Sequence, residues 1–132
     1  MRLLILFILG AVLGGAVAML AANALQQRSA YPRGVMAVLQ HDLGKLRDIA
    51  RALPCDVAPS PTLLQRLRNA TAEIEPALYP GSEPDTAFHQ YADKLRSSLD
   101  QAIAVPATSC AALSKSVVTI TEHCDSCHRE FR

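Results

Sequence analysis

Apolar residues follow a helical spacing from Gly34 onward. They recur in steps of three and four, which is the stripe of a helix that packs along one face. Because proline cannot continue a helix, Pro54 predicts where this one ends. The stripe consists of Met36, Leu39, Leu43, Leu46, Ala50 and Leu53.

Three further stripes with the same period follow. The second begins at Ser60-Pro61, a capping residue followed by proline in the first turn, and is closed by Pro76. A turn-rich stretch at residues 79–82 precedes the third, and Pro106 separates the third from the fourth. Their apolar positions are Leu64, Leu67, Thr71 and Ile74, then Phe88, Ala92, Leu95, Leu99 and Ala102 or Ile103, then Leu113, Val117, Ile120, Cys124, Cys127 and Phe131.

These patterns predict an all-α fold. No segment alternates apolar and polar residues as a half-buried strand does. Short connections between long helices favour neighbours that run in opposite directions, so we expect an antiparallel up-down-up-down four-helix bundle. In this topology the N-terminal end of the first helix lies beside the C-terminal end of the fourth.

An apolar N-terminal helix precedes the bundle. Residues 3–22 carry no charged side chain and, as one helix, would span about 30 Å, enough to cross a bilayer. They lead into Ala22-Asn23-Ala24, a small-x-small pattern at which a signal peptidase cuts. We therefore expect residues 1–24 to be a signal peptide or a retained signal anchor, and residues 25–132 to be the folded domain.

Both interpretations of this segment export the domain. Arg2 stays cytoplasmic, so the chain after Leu25 is delivered to the far side of the membrane, which is the periplasm of a bacterium. There it is soluble after cleavage near Ala24 or tethered to the inner membrane by residues 3–22. The 13 basic and 12 acidic residues leave a net charge of +1, so no charge excess points to a nucleic-acid partner.

The strongest chemical signal is Cys124-Asp125-Ser126-Cys127-His128, close to the C-terminus. Cys-x-x-Cys-His is typical of covalent haem attachment, in which two thiols add to the porphyrin vinyl groups and the imidazole binds iron. We therefore predict one covalent haem c. A thioredoxin-like pair, which would follow a strand, and a zinc site, which would need a second pair of ligands, remain the alternatives.

The position of this motif in the last helix resembles cytochrome c′ and its class II c-type relatives. The resemblance covers residues 31–132 and includes the first helix, whose centre is Leu43-Gly44-Lys45-Leu46. It implies a four-helix bundle with haem near its C-terminal end and Met36 on the distal side of that haem. The bundle topology independently brings Met36 beside His128, and Met36 is the one methionine outside the N-terminal segment. Met36 either binds iron or packs in the core.

The resemblance also suggests two cationic positions at the haem. Pro32 stands where relatives commonly have a basic residue near a haem propionate, so Arg33, one place later, is the candidate for that contact. Arg132 matches a position close to the proximal histidine. Dimerisation through the first two helices would follow from the same analogy.

The state of Met36 separates two functions. With His128 and Met36 both bound, the ligands need not change during redox, and the chain is an electron carrier for a redox partner protein. If Met36 only packs, the sixth position is open and suits a small diatomic gas such as nitric oxide. Neither case supplies a general acid or base for a substrate, so we do not expect an enzyme.

Two cysteines lie outside the motif. Cys55 follows the first helix and Cys110 begins the fourth, so the antiparallel topology places both at the end opposite the haem. In an oxidising compartment a disulfide is expected there, and two unpaired core thiols are the alternative.

Overall fold

The computed structural model describes residues 2–131, apart from the side chains of residues 5, 27 and 28. The described residues are all-α and contain no strand. They form five helices: α1 (Arg2–Arg51), α2 (Ser60–Thr71), α3 (Ile74–Leu78), α4 (Thr86–Ala104) and α5 (Cys110–Glu130).

The chain divides into two compact units at Arg33 and Gly34. The first unit is the N-terminal part of α1, where the large apolar side chains, such as Leu3 at 84% and Phe7 at 76%, are exposed. This stretch of α1 is long and apolar enough to cross a membrane.

The second unit begins with the C-terminal part of α1. This part ends at Arg51, and Leu53 is 96% exposed, so the prediction that Leu53 belongs to the buried stripe was wrong. The physical reason is Pro54, which disfavours helical geometry in the residue before it and so ends the helix early. The last turn tightens as Ala52 N–H donates to the Ile49 carbonyl at 3.2 Å.

The start of α2 also differs from the prediction. Pro59 occupies the N-cap, and Ser60 is the first helical residue, with Pro61 beside it. The Ser60 hydroxyl is buried and donates backward to the Val57 carbonyl at 2.7 Å. It therefore stabilises the preceding turn and does not cap the helix.

The second stripe is divided between two helices. α2 ends at Thr71, whose hydroxyl donates to the Arg68 carbonyl at 2.6 Å, and α3 starts at Ile74. Pro76, expected to close the second helix, lies inside α3 instead. Proline is tolerated there because N–H groups in the first turn of a helix have no intrahelical acceptor.

The remaining helices begin with side-chain caps. Asp85 accepts from Ala87 N–H at 2.6 Å at the start of α4, and the Ser109 hydroxyl accepts from Ala112 N–H at 3.2 Å at the start of α5. The turn between α3 and α4 passes through Gly81, whose φ of +78° strongly favours glycine.

α4 packs against α2, α3 and α5 in the second unit. The C-terminal part of α1 is joined to α2 by Asp42 and Arg66 at 3.2 Å, and to α5 by an Arg47 guanidinium that donates to the Thr121 hydroxyl at 2.9 Å. The most deeply buried apolar side chains come from α1, α4 and α5, and they are Leu46, Leu99, Leu113 and Ile120. These side chains belong to one hydrophobic core that α1, α4 and α5 share.

Candidate functional site

One cavity collects the residues of the Cys-x-x-Cys-His motif and Met36. Its volume is about 360 Å³, within the range of roughly 300–1,000 Å³ that ligand pockets occupy. Cys124, Cys127 and His128 line it from α5, and Met36 lines it from α1. Apolar side chains supply most of the remaining wall, and they are Leu39, Leu43, Leu67, Ile74, Ala92 and Leu95.

The helical spacing on α5 places the motif on one face. Cys127 and His128 follow Cys124 by three and four residues, so all three side chains point to the same side of the helix. Both thiols are half-buried and pack against the hydrophobic core, whereas His128 is exposed at the cavity rim. Phe131 continues this face and is anchored on α4 by edge contacts with Phe88 and Tyr91, at centroid distances of 5.1 and 5.7 Å.

Burial raises the pKa of both motif thiols. Desolvation raises the pKa of the Cys124 thiol to about 11, although the Arg47 guanidinium partly opposes this, and desolvation also raises the pKa of Cys127. Thiol-disulfide catalysts need a lowered thiol pKa, so this environment disfavours the thioredoxin-like interpretation.

The donor set of the cavity fits a haem c. Two thiols of suitable spacing, one imidazole and one thioether reach the same space, and the wall is mainly apolar. Among residues 2–131, no three His, Cys, Asp or Glu side chains are grouped as a metal site.

Within the described range, three residues with polar side chains outside the motif line the cavity although the sequence did not predict them there, and one of them is Tyr91 of α4. Gln40 and Arg47 both line the cavity from α1. Together with Met36 and Leu43 they recur at steps of four, three and four, so the helical period of α1 is the signal that could have found them. They were missed because a polar side chain in an apolar stripe is normally assigned to the solvent face.

Neither of the two predicted cationic residues, Arg33 and Arg132, is among the described residues that line the cavity. Arg33 belongs to the first unit, where its guanidinium donates to the Ser29 carbonyl at 3.1 Å and also to the Ser29 hydroxyl. Arg132 lies outside the described residues. A propionate contact by Arg33 and a proximal role for Arg132 therefore stay predictions.

The disulfide expected from topology is present. Cys55 and Cys110 are bonded, with their Cα atoms 6.3 Å apart, and they join the end of α1 to the start of α5. Cys124 and Cys127 are free thiols. The four cysteines thus separate into a structural pair and a cavity pair.

No protein-family model, curated protein or solved structure matches this chain at a significant level.

Proposed function

We propose that this chain is an exported c-type cytochrome that carries one covalent haem in the cavity lined by α1, α4 and α5, with Leu67 of α2 and Ile74 of α3 completing its wall. The observation that carries the proposal is that Met36 of α1 lines the same mainly apolar cavity as Cys124, Cys127 and His128, although 87 residues separate it from Cys124 and the other two come later still. The Cys-x-x-Cys-His motif supports haem c as the occupant. The resemblance to cytochrome c′ and its class II relatives supports the same assignment.

We further infer that the second unit is an antiparallel four-helix bundle. Its members would be α1 from Gly34 onward, α2, α4 and α5, with α3 as a short addition. Three links support this arrangement: the Asp42–Arg66 pair between α1 and α2, the Arg68–Asp100 pair at 2.7 Å between α2 and α4, and the disulfide that follows α1. In such a bundle the disulfide marks one end and the cavity the other.

Four of the cavity residues would hold the cofactor. Cys124 and Cys127 would form the thioethers, and the His128 imidazole and the Met36 thioether would bind the iron. Bound haem would supply a one-electron iron couple at this position. Methionine in place of a second imidazole raises the reduction potential, and the apolar wall excludes water from the site.

The proposed activity is electron transfer with a partner protein on the periplasmic side. His128 and Met36 come from different helices that are tied by the Cys55–Cys110 disulfide, so the protein would hold both ligands in place during oxidation and reduction. The N-terminal unit would deliver the domain across the membrane as a signal peptide or anchor it there.

Gas binding is the second candidate, and Gln40 favours it. Its side chain is one helical turn from Met36 and lines the same cavity. If Met36 stays packed against the core and leaves the sixth position open, the Gln40 amide would donate a hydrogen bond to a diatomic ligand there.

Spectra of the purified chain in both oxidation states distinguish the two functions. Electron transfer predicts low-spin haem with a weak ferric absorption band at the red end that is lost in Met36→Ala. Met36→Leu preserves the packing and should also lose the band. Leu39→Met is the control, because it changes a cavity residue one helical turn from Met36 and leaves Met36 in place, so it should keep the band. High-spin spectra that do not change in Met36→Ala would contradict ligation and support gas binding.

A further inference from the structure

A second groove opens beside the cavity, between the C-terminal part of α1 and α5. It has a volume of about 380 Å³ and is lined by Arg47, Arg51, Val118, Thr121 and Glu122, among others. Arg47 lines both the groove and the cavity, and it is the one described residue that the two linings share.

Arg47 is held at this boundary by α5. Its guanidinium donates to the Thr121 hydroxyl at 2.9 Å, and Thr121 lies one turn before Cys124. The charge of Arg47 is close enough to Cys124 to lower that thiol's pKa against the larger effect of burial. The groove therefore adjoins the side of the cavity where the first thioether would form.

The groove carries unbalanced positive charge. Neither Arg47 nor Arg51 forms an ion pair with another residue of the described range, and Glu122 is the one carboxylate in the lining. Arg51 is exposed one turn after Arg47, and the side chain of Val118 is 52% exposed. Two unpaired arginines beside an exposed apolar residue are typical of a protein-binding surface, where arginine is enriched and lysine depleted.

We propose that this groove is the docking surface for an acidic segment of the protein that exchanges electrons with the chain. The electron exchange in this inference rests on the proposed function. The binding of an acidic segment to the groove does not depend on it. A carboxylate bound to Arg51 would bring the partner to within one side chain of the cavity. Complementary charge would also steer the encounter and raise the association rate at low salt.

The binding test uses the full chain, ¹⁵N-labelled in a neutral detergent and titrated with hexaglutamate at low ionic strength. We expect amide shifts to concentrate on α1 residues 47–51 and α5 residues 114–122. Arg51→Glu should weaken the apparent affinity about five-fold or more, and added salt should remove the difference. Lys45→Glu is the matched control, because it makes the same charge change on α1 but lies in a separate groove that faces α2. It should change the affinity by less than about two-fold.

A second measurement connects binding with electron transfer. One electron passes from the reduced, haem-loaded chain to ferricyanide, which becomes ferrocyanide, and hexaglutamate should slow this reaction in the wild type and Lys45→Glu but not in Arg51→Glu. Equal weakening by both variants, shifts centred elsewhere, or equally tight binding of hexalysine would overturn the docking surface. A chain without haem would still bind hexaglutamate. The binding test therefore distinguishes a failure of the docking surface from a failure of the proposed function.

Discussion

The Asp42 carboxylate of α1, which is fully buried, lies 3.2 Å from the guanidinium of Arg66 on α2, whose side chain is 55% exposed. Neither oxygen of Asp42 accepts a well-directed hydrogen bond from the described residues. A buried charge with one solvent-exposed counter-ion is poorly compensated, because removing it from water costs several kcal/mol. This pair therefore makes the α1–α2 contact sensitive to either partner.

Removal of the counter-ion should destabilise the domain. We expect Arg66→Met to lower the free energy of unfolding by about 1–3 kcal/mol, less than for a fully buried pair because Arg66 is half exposed. Urea unfolding followed by circular dichroism measures it. Arg68→Met is the matched control on the same helix, since it breaks an exposed pair with Asp100 and should cost less than about 1 kcal/mol. An equal loss of unfolding free energy in both variants would show that Arg66 does not compensate the buried charge of Asp42.

His89 should make the stability depend on pH. Its Nδ1 lies 2.6 Å from Glu75 and its Nε2 lies 3.1 Å from Asp93, so both ring nitrogens must donate and the imidazolium form is favoured. The hydrogen bond with Glu75, and then the charge of Asp93, raise the pKa of His89 above 6.5. A raised histidine pKa stabilises the fold fully below the unfolded value of 6.5, and this contribution is lost as pH rises through the folded pKa.

The His89→Gln variant isolates this contribution. The wild type should unfold at higher urea than His89→Gln near pH 5.5, and the difference should shrink as the pH is raised towards 9. His41→Gln serves as the control because His41 is exposed and forms no ion pair within the described range. A wild-type advantage that is constant with pH would contradict the imidazolium assignment.

Phe131 should fix the end of α5 that carries His128. Its ring contacts Phe88 and Tyr91, while the preceding residues of the last turn are exposed. We expect Phe131→Ala to cost about 1–3 kcal/mol, below the value for a fully buried phenylalanine. Glu130→Ala, an exposed change in the same turn, should stay within about 0.5 kcal/mol. Equal unfolding midpoints for the two variants would refute the anchoring role.

The disulfide should stabilise the domain without taking part in the site. Cys55 and Cys110 are 55 residues apart, and closing a loop of this length is worth about 4 kcal/mol in the chain-entropy model. The double variant Cys55→Ala/Cys110→Ala should lose about 4 kcal/mol of unfolding free energy in urea denaturation. The arrangement of the residues that line the cavity should not change. A loss below about 1 kcal/mol would mean that the pair contributes little constraint.

The sequence predicted the helices better than their ends. The apolar period and the proline positions were sufficient to predict the extents of α4 and α5. Both helices begin at capping residues that are visible in the sequence. The same two signals were insufficient at Thr71, where α2 ends with no proline or glycine to mark the break. They also assigned Leu53 to a stripe that the helix does not reach, because Pro54 acts on the residues before it.

The site was predictable as far as its chemistry is local in sequence. Cys124, Cys127 and His128 form a contiguous motif, and Met36 was predicted from an expected antiparallel arrangement of the first and last helices. All four line the cavity. Arg47 and Asp42 were not predicted, because a charged residue on a buried face is recognised only when its partner, Thr121 or Arg66, is brought to it by tertiary packing.

Covalent attachment of haem is the central claim, and intact mass with a pyridine haemochrome spectrum tests it most directly. The full chain is produced in a bacterium with a c-type maturation system. The account predicts one haem added per chain, its loss in Cys124→Ala/Cys127→Ala, and its retention in Cys55→Ala/Cys110→Ala. An exported chain with both motif thiols free and no haemochrome signal would contradict it.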